Sequence, residues 1–322
     1  MTSGTALPVP HARAASERSG PCGAPLVSVI TPSYNQGAYI ERCIQSVLAQ
    51  AGVPFEHIVV DNCSSDATVD ILRRYPHVRW ISEPDHGQSH ALNKALALAR
   101  GEIIAWINAD DAYLPGAFQA ASAALSAPGG PHAAAGGVEH VDADGRALGV
   151  FRPQAFSVER MSEFWSGYGL EQPGVFFRRE LVDRVGSFDE SLHYVMDYDF
   201  FLRVRAVSDI RVLTPVVARF VEHPESKTGR ERYGSAFVRE LVRVASRYWG
   251  PQGDPARARR ARACRLHVAD HFASAVWRAS RSEGRVDWRA AGQMIAWRPL
   301  LALHPRLWRV ILASAWRVPG SR

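Results

Sequence analysis

Cysteine is scarce in this chain. The 322 residues hold only Cys22, Cys43, Cys63 and Cys264. They form no C-x-x-C pair and no zinc-ligand spacing. A disulfide-stapled mini-protein and a zinc module are therefore excluded, and free thiols in a reducing compartment are expected. No apolar run reaches the roughly 18 residues that a spanning helix needs, so an integral membrane protein is not expected. The start has no basic-then-apolar leader with a cleavage site, so export is not expected either. Two nucleotide signatures are also missing. Thr31-Pro-Ser-Tyr-Asn-Gln-Gly37 has a single glycine where the dinucleotide fingerprint needs three, and the P-loop pattern is absent. A dehydrogenase is disfavoured on that ground.

What is present suits a globular chain with a sizeable core: 47% hydrophobic and 22% charged residues. The net charge of +6 is uneven. From Pro251 onward there are 14 arginines against four acids, whereas the first 250 residues carry 24 basic and 28 acidic side chains. The basicity belongs to the C-terminal part and is no nucleic-acid signal for the whole chain.

Residues 1–24 are rich in Ala, Ser, Gly and Pro without an apolar period and read as disordered. A regular alternation then begins. Val27–Ile30, His57–Val60, Val78–Ile81 and Glu102–Ile107 are short apolar runs that read as strands. Ile40, Cys43, Ile44, Val47 and Leu48 fall at helical spacing, as do Ala91, Leu92, Ala95, Leu96 and Ala99. Asp66 is placed to cap a helix reaching about Tyr75. Strands alternating with helices imply βαβ units and a mostly parallel sheet, with ligands bound beyond the carboxyl ends of the strands. Those ends carry Pro32-Ser33-Tyr34, Asp61-Asn62, Glu83-Pro84-Asp85 and Asn108 to Asp111. Four loaded strand ends point to a site, where one would be unremarkable. Further on, Val138 to Val150 reads as a hairpin around Asp144-Gly145. Gly174 to Arg178 reads as a strand, Val195 to Val207 as a helix and Ile210 to Val221 as β. From about residue 225 Arg-rich helices follow.

The adjacent carboxylates of Asp110 and Asp111 repel each other unless a cation or donors compensate. A hard divalent cation that keeps its waters and touches a phosphate suits such a pair. A turn or a helix cap opening at Pro115 suits it about equally. Asp61 can accept from a ribose hydroxyl or a base N–H, or simply from its own loop. Asp197 and Asp199 lie at a helix start, where the macrodipole favours negative charge, and either could serve as a general base. His223 near a strand end is a surface or capping histidine, or a metal ligand.

Taken in order, these segments resemble the family 2 glycosyltransferases. The resemblance rests on Val27-Ser-Val-Ile-Thr-Pro-Ser-Tyr-Asn-Gln36, Ile58-Val-Val-Asp-Asn62 with Ser65-Asp66, and Ser82-Glu-Pro-Asp-His-Gly-Gln-Ser89. It continues through Leu92-Asn-Lys94, Gly101 to Asp111, Gln172-Pro173, Met196-Asp-Tyr-Asp199 with Arg203, and His223-Pro-Glu-Ser-Lys-Thr228. Each motif is weak alone, while their order and spacing are specific. The resemblance implies a GT-A-type, mostly parallel α/β sheet flanked by helices over residues 25–228, followed by an Arg/Trp-rich helical extension over 229–322.

The same resemblance implies inverting transfer of a hexosyl or related unit from a nucleotide-diphosphate sugar to an acceptor hydroxyl, with Mn or Mg as cofactor. On it, Pro32, Tyr34, Asp61, Gln88, Lys94 and Asp110 hold the donor. Asp110, Asp111 and His223 hold the metal, and Asp197 is the base with Asp199 as the near alternative. Asn108 stands where the family usually has Asp, and Asn108→Asp is expected to be tolerated. The implied acceptor is a hydroxyl-bearing glycan or a lipid-linked one, in polysaccharide or glycoconjugate synthesis. A sugar-nucleotide-binding module without turnover and a nucleotidyltransferase remain as alternatives.

Five of the nine tryptophans, Trp277, Trp288, Trp297, Trp308 and Trp316, lie beyond residue 250. Interleaved with arginine they suit either helices packed on the core or peripheral contact with an anionic membrane surface. No nucleic-acid partner is implied. The cytoplasm is the expected compartment, with the inner face of the membrane as a possible place of work. Because the loaded strand ends all precede it, removal of the chain after about residue 235 is expected to leave the donor site in place.

Overall fold

The computed structural model describes residues 27–127, 129–167, 169–226, 235–282 and 288–297. The segment 1–24, Cys22, Lys227-Thr228, Trp308 and Trp316 lie outside the described residues.

Among the described residues nine strands form one sheet. They are β1 (Val27–Ser33), β2 (Phe55–Asp61), β3 (Val78–Ser82), β4 (Ile103–Trp106), β5 (Ala112–Tyr113), β6 (Ala133–Asp142), β7 (Ala147–Phe151), β8 (Val175–Arg178) and β9 (Ile210–Glu222). Their order is β3-β2-β1-β4-β8-β6-β9-β5, with β7 on β6. The half β3-β2-β1-β4 is parallel throughout. In the other half only β6 and β9 run parallel, while β4–β8, β6–β8, β6–β7 and β5–β9 are antiparallel. The sheet is thus mixed, and the parallel character read from the sequence belongs to its first half. The hairpin around Asp144-Gly145 is β6–β7, with Gly145 at φ 84° in the left-handed turn position.

Among the described residues ten α-helices accompany the sheet: α1 (Ile40–Leu48), α2 (Thr68–Arg73), α3 (Gln88–Leu98), α4 (Ala117–Leu125), α5 (Val158–Met161), α6 (Glu180–Val185), α7 (Met196–Val207), α8 (Ser235–Ala245), α9 (Pro255–Ser282) and α10 (Trp288–Trp297). Strand alternation sends side chains to opposite faces. Val27, Val29, Ile103 and Ala105 pack with Cys43 and Val47 of α1 and Phe118 of α4. Ile30, Ile104 and Trp106 pack with Leu92 of α3 and Phe200 of α7. Asp66 accepts from the backbone N–H of Thr68 at 3.0 Å, so it does serve the start of α2.

The C-terminal helices belong to the second of these cores. Val238, Val244, Trp249, Cys264, Val268, Phe272 and Met294 are buried in the same cluster as Ile30 and Phe200. Trp249 also donates its indole N–H to the Ser162 carbonyl at 3.2 Å. Cutting the chain after about residue 235 would therefore take buried side chains out of this core. No described helix is long and apolar enough to cross a membrane.

Candidate functional site

The carboxyl ends of β1, β2 and β4 open into a cavity of about 650 Å³. Pro32 and Tyr34 from β1 and its loop form one wall, Asn62 and Asp85 another, and Asn108 to Asp110 the floor. The N-terminal ends of α3 and α7 bring Gln88 and Asp197 to the rim, and the end of β9 brings His223. The β1 and β2 ends turn sharply: Asn35 and Cys63 have φ of 52° and 50°. The Asn35 side chain steadies that turn by accepting from the Ser65 N–H at 2.9 Å.

Of the residues singled out from the sequence, Pro32, Tyr34, Gln88, Asp110, Asp197 and His223 meet at this cavity although up to 191 positions separate them. His223 is 5% exposed. Its Nε2 lies 3.0 Å from Asp110 Oδ2, and its ring stacks on Tyr39 with centroids 4.3 Å apart. Its Nδ1 is buried without a partner. One carboxylate oxygen and one imidazole nitrogen, side by side on an open cavity, fit a divalent cation that fills its remaining positions with water and phosphate oxygens. Among the described residues no three His, Cys, Asp or Glu side chains converge as a complete metal cage.

Four expected site residues face elsewhere. Asp111 is 1% exposed and turns inward, where its Oδ1 accepts the Val221 N–H at 3.1 Å. Burial, with the Asp110 carboxylate beside it, pushes its carboxyl well above the usual range. Its work is to tie the β4 end to β9 two residues before His223. Asp61 is buried off the cavity wall and accepts from Ser64 N–H, Ser64 Oγ–H and Ser82 Oγ–H, the last at 2.6 Å. Its neighbour Asn62 faces the cavity instead. Lys94 reaches Glu83 at 2.8 Å and the Pro84 carbonyl at 2.9 Å, pinning α3 to the loop after β3. Asp199 lies on the opposite face of α7 from Asp197, as a 100° step per residue requires. It is 1% exposed and held by Arg203 at 2.8 Å and Arg247 at 2.7 Å.

Sequence reasoning did not find Tyr39, Tyr194, Phe220 and Glu225 on the cavity wall. Tyr39 precedes α1 in sequence with no motif to mark it, and only the fold sets it against His223. The cavity carries the carboxyl groups of Asp85, Asp110, Asp197 and Glu225 and, among the described residues, no Lys or Arg.

Comparison with known proteins agrees with this geometry. Residues 28–186 match the glycosyl transferase family 2 model. An uncharacterized protein of Mycobacterium tuberculosis is 36% identical over 200 residues, 56% of this chain and 62% of the relative. A putative teichuronic acid biosynthesis glycosyltransferase of Bacillus subtilis is 46% identical over 95 residues, 28% of this chain. The chain thus spans 62% and 37% of the lengths of these two relatives. TarS 1-349 of S. aureus in complex with UDP-GlcNAc superposes with a TM-score of 0.59 at 20% identity, covering 88% of this chain and 83% of that chain. A mannosyltransferase of Pyrobaculum calidifontis in complex with GDP-Man and Mn2+ gives a TM-score of 0.55 at 24% identity, covering 92% and 87%. These likenesses show a GT-A-type fold. An uncharacterized glycosyltransferase of Rickettsia typhi is 30% identical over 238 residues, 68% of this chain and 73% of the relative. Given that match, the family model and the shared fold, the chain belongs to glycosyl transferase family 2.

Proposed function

We propose that the chain transfers a sugar from a nucleotide-diphosphate sugar to an acceptor hydroxyl with inversion, in the synthesis of a glycan. The observation that carries the reading is the meeting of Asp110, His223 and Asp197 on one cavity at the strand ends. A diphosphate facing four carboxyl groups needs a cation between them, and Asp110 with His223 would hold it. The chemistry such a cation would supply is Lewis-acid stabilisation of the charge that develops on the leaving nucleoside diphosphate. Pro32 and Tyr34 bound the nucleotide end. Asp197, across the cavity at the start of α7, takes the proton of the acceptor hydroxyl as its oxygen attacks the anomeric carbon. A single displacement needs no enzyme nucleophile.

The deciding experiment incubates the protein with UDP- and GDP-sugars, Mn or Mg and a glycan acceptor panel, and identifies the released nucleotide and the anomeric configuration of the product. Nucleoside diphosphate with an inverted product is expected. Pyrophosphate release would mean a nucleotidyltransferase, and binding with no release a binding module. Asp110→Ala should abolish the metal-dependent part of donor binding in calorimetry.

The exposed arginines Arg259, Arg262 and Arg265 on one side of α9 suit contact with anionic headgroups, where a lipid-linked acceptor would lie. Cosedimentation with phosphatidylglycerol vesicles that survives reversal of all three charges would remove this contact from the reading.

A further inference from the structure

The carboxamide of Asn108 sits on the cavity wall with both ends in use. Its Oδ1 accepts from the Trp106 indole N–H at 3.0 Å and from Gln88 Nε2 at 2.9 Å. Its Nδ2 donates to Gln172 Oε1 at 2.8 Å and lies 3.5 Å from Asp111 Oδ2. The two ends cannot be exchanged. An indole N–H only donates, so the atom facing Trp106 must accept. Gln172 Nε2 is committed to the Trp106 carbonyl at 2.6 Å. Gln172 Oε1 therefore faces Asn108 and requires a donor. The Gln172 turn is itself locked in place, since a Cβ on Gly174 would come 2.6 Å from the Gly136 carbonyl oxygen. This point of the wall needs an acceptor on one side and a donor on the other. An amide supplies both, and an ionised carboxylate supplies no donor.

We propose that Asn108 is a positioning residue of the donor site. Its amide fixes Gln88 at the start of α3 and the Gln172 turn against the end of β4, and a carboxylate here breaks the wall rather than completing a metal site. The inference rests on the nucleotide-sugar reading of the cavity and reverses the expectation that Asn108→Asp is tolerated. In that variant one carboxylate oxygen would oppose Gln172 Oε1, an acceptor facing an acceptor where the amide now donates at 2.8 Å.

The test is a double-mutant cycle of Asn108→Asp and Gln172→Ala in the full chain. Each protein is titrated calorimetrically with UDP and with GDP in the presence of Mn, and its melting temperature is recorded to establish that it is folded. Asn108→Asp should weaken nucleotide affinity by about tenfold or more, the scale of leaving a buried polar group opposed. In the Gln172→Ala background the same change should cost much less, because the opposing acceptor is gone. Nucleotide affinity of Asn108→Asp equal to or tighter than wild type overturns the proposal, as does an equal cost in both backgrounds. Coupling seen in melting temperature alone, with affinity unchanged, would make the amide structural and overturn the positioning role. A wild-type protein that binds neither nucleotide would refute the parent reading as well.

Discussion

The two aspartates at the start of α7 offer the sharpest separation of a structural from a chemical role. Asp199 is a buried carboxylate shared between Arg203 and Arg247. Asp199→Asn keeps the shape but removes the charge. Arg203, whose guanidinium also serves the carbonyls of Val185, Gly186 and Ser187, would then be a largely buried cation without its anion. Breaking a buried pair by deleting one partner costs about 3–5 kcal/mol. Arg247 is 46% exposed along its side chain and regains hydration, so the low end, about 3 kcal/mol, is expected. For a chain of this size that is a fall of roughly 4 °C in melting temperature. Asp197 lines the cavity, its Oδ1 accepts the Tyr198 N–H at 2.7 Å, an acceptor that asparagine keeps, and the helix dipole at its position is worth about 0.3–1 kcal/mol. Asp197→Asn should therefore melt close to wild type and bind the donor. Its turnover should drop by about 10²–10⁴-fold, the usual worth of a general base. Urea denaturation and turnover at saturating substrates, run side by side, decide. An inactive, normally stable Asp199→Asn beside an active Asp197→Asn would show that the base has been assigned to the wrong residue.

Two further outcomes follow from packing and burial. Removal of residues 235–322 takes Val238, Val244, Trp249, Val268 and Phe272 out of the core. At about 2 kcal/mol each the loss is on the order of 10 kcal/mol, comparable with the whole stability of a typical domain; a truncated chain that melts like the intact one would refute the shared core. His57 lies buried on β2 against Thr31, and burial, aided by the charge of His77, pushes its pKa down to about 3. Above the unfolded value near 6.5 neither state takes the proton. Between 6.5 and 3 only the unfolded chain does, so stability falls by about 1.4 kcal/mol per pH unit, or about 2 kcal/mol from pH 6.5 to 5. His57→Asn should lose that slope in urea midpoints measured at pH 7, 6 and 5, and equal slopes in both proteins would count against it.

The first half of the fold was legible because both faces of its strands are covered. Val27–Ile30 and His57–Val60 are unbroken apolar runs for that reason, and the polar residues that follow them mark the cavity. The second half hides its topology. The antiparallel partners of β8 lie on β4 and β6, and a four-residue strand carries no record of whom it pairs with. Within the site, sequence order told which strand ends carry acids but not which way the acids point. Asp110 and Asp111 are neighbours in sequence, yet one faces the cavity and the other the Val221 N–H. Asp61 illustrates the same limit: its motif position was readable, and the serines that occupy its carboxylate, Ser64 and Ser82, come from two different loops.

The arginine count of the C-terminal helices was legible too, but a count of charges is not a map of surface charge. In α9, Arg257 turns inward to the carbonyls of Ser246 and Gly250, and Arg260 pairs with Glu163 at 3.0 Å. Arg259, Arg262 and Arg265 face outward. The tryptophans divide in the same way, Trp249 buried and Trp288 62% exposed. The inward set has a consequence for the cavity. Glu240 of α8 accepts the backbone N–H groups of His193 and Tyr194, the latter at 2.9 Å, and Arg247 closes on Asp199. Both contacts grip the segment that presents Tyr194, Met196 and Asp197 to the cavity. The side of the cavity proposed for the donor is thus set by the sheet, whose strand ends are fixed by β pairing. The side that carries the proposed base is set by helices that the family match, ending at residue 186, does not reach. Sequence divergence in α8 and α9 would therefore move the Asp197 side of the cavity, proposed for the acceptor, while leaving the strand-end side, proposed for the nucleotide, as it is.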